Sequence, residues 1–202
     1  MATKFDPTRR TPEARRSGTR WGRVVERSDP DAAATPAAAS FSSPACCTGP
    51  AGPSLDVSSL TTTDGNRWSV EGEPTIYLAG DPGVALAELG RHWGEQGAEI
   101  AVWSLRLTLE AAADLREPAI RAALGVPDDP RWILDEERCR ALAAHLRVQG
   151  TNDGMIVPSV AFLDDPSRWN AVVFVDRQAR PIEDALVVES ALMRLAPTPR
   201  RA

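Results

Sequence analysis

The run Pro74-Thr75-Ile76-Tyr77-Leu78-Ala79 is β-branched and aromatic, is bounded by Pro and Gly, and predicts a short buried strand. Asp81-Pro82 then starts a helix, with Asp as N-cap and Pro at the first helical position, where its missing N–H costs nothing. That helix is predicted to reach about Glu95. Its core stripe is Leu86, Leu89 and Trp93, and Glu88 points nearly opposite. Glu99 to Leu109 alternates apolar and polar near its end and predicts a second strand with one half-exposed face. Residues 110 to 131 read as short helical pieces broken by Pro118, Pro127 and Pro130. Asp135 caps a helix to about Val148, with Leu134 and Cys139 at the spacing of a hydrophobic staple and Cys139, Leu142 and Leu146 as its apolar stripe. Met155 to Phe162 is a strand interrupted by Pro158, so Ser159 sits at a break in the ladder. After the Asp164-Asp165-Pro166 turn, Asn170 to Val175 is another buried strand, and Asp184 to Leu195 is ambiguous between strand and helix.

The periodic pattern thins toward the start of the chain. Residues 1–18 are rich in Arg, Thr and Pro and predict a disordered basic tail. Trp21 to Glu26 suits a short strand, and residues 28–54 are so rich in Ala, Pro and Ser that they predict a flexible insert. The expected organisation is a tail over 1–18 and one domain over 19–198 carrying that insert, with Pro197 to Ala202 trailing.

Charge changes this picture only at the tail. The net charge is -5 over 202 residues, yet residues 1 to 27 hold eight Lys/Arg against three Asp/Glu. Neither aromatic interleaving nor helical periodicity accompanies that charge, so direct nucleic-acid binding is not expected. No apolar run is long enough to span a bilayer, and the pairs Arg9-Arg10 and Arg15-Arg16 precede no apolar stretch, so no Sec or twin-Arg signal and a cytoplasmic location are expected. Three cysteines, two of them adjacent at Cys46-Cys47, make neither a disulfide framework nor a zinc spacing. Two histidines, His92 and His145, make a His-rich metal centre or a Ser-His-Asp hydrolase hard to assemble.

Four residues remain as candidate chemistry. Arg67 lies in a polar turn, where a surface arginine is ordinary, but its five-donor fork also suits a phosphate or pyrophosphate. Tyr77, the one tyrosine, is either a core aromatic or a ring that stacks on a flat ligand. Glu88 is a solvated carboxylate pairing with Arg91 or His92 unless another layer covers its face. Ser159 is by default a polar residue at a strand end. None is specific alone.

Their order is more specific. Gly65-Asn66-Arg67-Trp68, a Pro-x-x-Tyr-Leu strand, Ala85-Leu86-Ala87-Glu88 on a helix, then Val157-Pro158-Ser159 before an Asn-led apolar strand resemble the RES domain over about Leu60 to Val175. The resemblance implies a single α+β domain of small mixed β-sheets with flanking helices, related to the ADP-ribosyltransferase fold. It implies a toxin of a type II toxin–antitoxin pair that takes NAD as substrate, needs no metal, and is neutralised by an Xre-like antitoxin. The implied reaction is cleavage of the nicotinamide–ribose bond, as a glycohydrolase or phosphorylase. Transfer of ADP-ribose to a protein is the alternative, and a non-catalytic NAD- or partner-binding module a further one. Arg67 matches the arginine expected to hold the NAD phosphates, Tyr77 the tyrosine expected at the nicotinamide end, Glu88 the acidic residue, and Ser159 the serine after Val-Pro. By this resemblance Glu88, Arg67 and Ser159 are catalytic, and Arg67, Tyr77 and Ser159 contact NAD. Two departures stand out. The family usually carries an arginine about twenty residues before its GRW motif, whereas here the nearest counterpart is Arg23, and the motif reads Gly-Asn-Arg-Trp-Ser.

Overall fold

The computed structural model describes residues 39–90, 99–148 and 151–195. Among these, the chain lays down β1 (Ala39–Pro50), β2 (Thr75–Ala79), α1 (Pro82–Gly90), β3 (Ile100–Asp114), α2 (Pro118–Ala123), α3 (Glu136–Val148), β4 (Gly154–Pro158), β5 (Trp169–Phe174), α4 (Ile182–Ala185) and β6 (Leu186–Leu195). The fold is α+β. The tail over 1–18, the strand over 21–26 with Arg23, residues 28–38 of the insert, His92, Trp93 and the helix beyond Gly90, and the trailing residues after Leu195 lie outside the described residues.

The strands form one mixed sheet in the order β1-β2-β5-β4-β3-β6, with β1 also paired to β3. β3 is the spine. One of its edges takes β1 antiparallel from Ile100 to Ala112, and the other takes β6 antiparallel and then β4 in parallel. Five strands therefore close on themselves, β1 meeting β2 at Cys46 and Ala79. The interior holds Ile76 and Leu78 of β2, Trp103, Leu105, Leu107 and Leu109 of β3, Ile156 of β4 and Val173 of β5. A second cluster lies where α3 buries Cys139, Leu142 and Leu146 against Met155, Val157, Val172 and Phe174 on the opposite face of β4 and β5. The period-2 alternation of β4 and β5 is read directly by these two environments, while β3 sets its apolar face against the interior and its polar face toward solvent.

The expected flexible insert over 28–54 is corrected for residues 39–50, which form β1. The strand lacks bulk because its neighbours supply it: Ala45 faces Leu105 and Cys47 faces Trp103 across the ladder, and all four side chains are buried. Small residues are what this crowded seam admits. Other predicted elements shift for local reasons. β3 continues through Asp114, so the helical pieces begin only at Pro118. The core residues of α1 are Val84 and Ala85, while Leu86 and Leu89 are half-buried, because the helix lies across a cleft and not flat on the core. The staple is absent. Leu134 is exposed, since the 3-10 turn Pro130–Leu134 rotates Ile133 inward onto Cys139, whose Sγ donates to the Ile133 carbonyl at 3.4 Å. The ambiguous segment after Asp184 resolves into one short helical turn, α4, and the edge strand β6.

The caps behave as the sequence predicts. The Asp81 side chain accepts from the Val84 N–H at 3.0 Å, and that of Asp135 from the Arg138 N–H at 3.1 Å. Gly80, between β2 and α1, has no room for a side chain: a Cβ there would meet the Trp169 ring at 2.4 Å.

Candidate active site

A cleft of about 570 Å³ opens where β1, β2 and α1 meet the turn before β2 and the start of α3. Arg67 reaches it from that turn, which the Asn66 N–H closes onto the Ser69 carbonyl at 2.9 Å. Trp68, beside it, is buried edge-on against Trp132, their centroids 5.9 Å apart. The buried indole anchors the turn and so aims Arg67 outward. The guanidinium is held at two points: Nη1 donates to the Ile133 carbonyl at 2.8 Å, and Nη2 lies 3.2 Å from Glu136 Oε1.

Tyr77 follows from the alternation of β2. Ile76 and Leu78 face the interior, so Tyr77 faces the cleft side, with its hydroxyl 3.0 Å from Ser69 Oγ. Burial pushes its phenol up from the ordinary value, against the opposing hydrogen bond from Ser69.

Glu88, on the second turn of α1, has the covered environment that its helical position alone did not promise. Ser159 Oγ donates to its Oε1 at 2.9 Å, and Asn170 Nδ2 donates to the same oxygen at 3.2 Å. Both donors come from the β4–β5 pair: Ser159 directly follows the last residue of β4, and Asn170 of β5 faces Val157 in the ladder. The break at Pro158 lets Ser159 turn out of the strand, where it also caps the turn Val160–Phe162 by accepting from the Ala161 N–H at 3.2 Å. Ser159 is fully buried, so it meets the cleft through Glu88.

Arg67, Tyr77 and Glu88 thus line one cleft, with Ser159 in its floor. The sequence reading left four contributors out of the site. Asn170 begins an otherwise apolar strand, and a polar side chain in such a place needs a partner, which was the available signal. Glu136 looks like an ordinary first-turn acid. Cys46 and Cys47 enter the wall through the strand that had been read as an insert. Burial pushes the Cys47 thiol up to about 12, Cys46 adding to it, and burial with Asp81 raises Cys46 too. Neither sulfur is an activated nucleophile.

The arrangement is suited to an elongated ligand with an anionic part. A guanidinium stands by one wall, and a carboxylate fixed by two donors stands on α1. Among the described residues, no group of three or more His, Cys, Asp or Glu could hold a metal ion, and no helix is long and apolar enough to cross a membrane.

No curated protein matches the chain. Among solved structures, a chain of the crystal structure of the M. tuberculosis MbcT-MbcA toxin-antitoxin complex is similar, with a TM-score of 0.61 and 21% identity over 80% of this chain and 88% of that one. At that identity the likeness is one of fold. The RES domain model matches residues 51–194, so that Arg67, Tyr77, Glu88 and Ser159 all fall within it, and the chain belongs to the RES domain family.

Proposed function

We propose that this RES domain consumes NAD by cleaving the bond between nicotinamide and ribose, as a glycohydrolase or phosphorylase, and that an Xre-like antitoxin restrains it in the cytoplasm. The observation that carries the reading is the Glu88 carboxylate, held in the cleft by Ser159 and Asn170. As that bond breaks, its electron pair leaves with neutral nicotinamide and positive charge develops on the ribose. A preorganised carboxylate stabilises charge that appears only then, which lowers the barrier without tightening ground-state binding. Water or phosphate adds to the ribose carbon and gives up a proton. Arg67 orients the substrate through its pyrophosphate, and Tyr77 offers a flat surface to the nicotinamide end. Support for the antitoxin is the fold shared with a chain of a toxin–antitoxin complex.

Nicotinamide release from NAD by the purified protein, compared with Glu88→Gln, tests the reaction. Release by the wild type and a loss of about 100-fold or more in the variant is the expected result. Equal or absent release in both defeats it. Labelled NAD that ends on a macromolecule, instead of as free ADP-ribose or its phosphate, would move the assignment to protein ADP-ribosylation.

A further inference from the structure

We propose that Arg140, just outside the cleft wall, is a second phosphate-binding residue at its rim, and that Glu136 is the anion which Arg140 and Arg67 hold in the place a diphosphate takes; the inference rests on the reading of the cleft as an NAD site. Two guanidiniums converge on one carboxylate at the cleft edge. Arg67 Nη2 lies 3.2 Å from Glu136 Oε1, and Arg140 Nη1, one helical turn along α3, lies 3.5 Å from Oε2. Arg140 Nη1 also donates to the Asn66 carbonyl at 3.3 Å, which ties it to the turn that carries Arg67.

The geometry distinguishes a replaceable anion from a permanent one. The Glu136 side chain is 53% exposed, so it can swing into water at little cost, as solvated ion pairs contribute little. Arg67 does not depend on it for position, because its Nη1 is fixed on the Ile133 carbonyl and its side chain is only 21% exposed. When Glu136 leaves, two cations and one anion become two cations, a charge that a diphosphate matches and a single carboxylate does not. The neighbouring Arg138 is turned to Asp135 at 3.8 Å and belongs to the helix cap.

ADP serves as the probe, since it carries the diphosphate without the scissile bond. Calorimetry should show ADP binding weakened about tenfold in Arg140→Gln, as for a lost charge-assisted hydrogen bond, with most of the affinity restored in Arg140→Lys. Glu136→Gln should bind ADP about two- to fivefold more tightly, the worth of a solvated ion pair. In turnover, Arg140→Gln should raise the KM for NAD and leave kcat, a split that a merely structural pair with Glu136 would not produce. If NAD is turned over and ADP binds all variants alike, Arg140 is no part of the site and the NAD reading stands. If Glu136→Gln weakens ADP binding, Glu136 orients Arg67 and does not stand in for a ligand, which overturns the proposal. If the wild type neither binds ADP nor turns over NAD, both fall.

Discussion

Ser159 and Asn170 both act through Glu88, and their substitutions should show it. Each donates to the same carboxylate oxygen. Ser159→Ala and Asn170→Ala should each lower kcat about tenfold with KM nearly constant, and the double variant should fall short of the product because the two share one acceptor. Ser159→Ala should also cost about 1 kcal/mol in urea melts, through the lost cap on the Ala161 N–H. The three thiols make a separate prediction. Burial raises Cys47 and Cys139 to about 12, Arg67 opposing at Cys139. A folded-state value above the unfolded one contributes stability that is complete below the unfolded value, near 9, and is lost as pH rises toward about 12. Urea midpoints should therefore fall between about pH 8 and about pH 10.5, and fall less in Cys139→Ala relative to its own value at the lower pH. At the lower pH the folded protein should resist a thiol reagent that labels all three cysteines once the chain is unfolded.

At the scale of elements, the legible parts were those whose signal is local. Asp81-Pro82 and Asp135 name their own helices, and the β-branched runs around Ile76 and Val172 name theirs. The order of Arg67, Tyr77, Glu88 and Ser159 was legible too, as a family pattern. What failed was non-local. β1 could not be read because its bulk is supplied by Leu105 and Trp103, about sixty residues away, and Ala45 beside Cys46-Cys47 looks like a linker until that partner is known. From its helical spacing alone Glu88 read as solvated, and only the family pattern pointed to its cover, because Ser159 and Asn170 arrive 71 and 82 positions later. The junction of β2 and α1 carries its own test. Gly80→Ala places a Cβ against the Trp169 ring, and should destabilise by about 1–3 kcal/mol on urea melting. Because Trp169 precedes Asn170, the same change should reduce turnover more than its stability cost explains.

Across the whole molecule, Arg147 near the end of α3 ties the layers together. It is 6% exposed, bonds the Thr75 hydroxyl at 2.6 Å, pairs with Asp176 and lies 3.8 Å from Glu73, and its guanidinium sits 4.2 Å over the Phe174 ring. One side chain thereby joins α3 to β2 and to the end of β5. Arg147→Met should cost about 2 kcal/mol in urea melts, below the ~3–5 kcal/mol of a fully buried pair because Glu73 and Asp176 can be rehydrated. Activity per folded molecule should be nearly unchanged, since Arg147 lies outside the cleft wall.

The closed circuit of strands also dictates when a nascent chain completes its cleft. The most local strand pairing is β4 with β5, whose ladder joins Pro158 to Trp169, whereas β1 must find β3 and β2 must find β5 across far longer stretches. Short closures precede long ones, so the Ser159–Asn170 floor is assembled early and the β1 wall late, with overall folding on the ~millisecond-to-second scale of non-local β topologies. Substitutions at Cys47 should accordingly speed unfolding and leave the folding rate, while those at Val157 should slow folding, in denaturant chevrons. Under the proposed function, a newly made molecule would lack a complete cleft until β1 closes, a built-in delay between synthesis and competence.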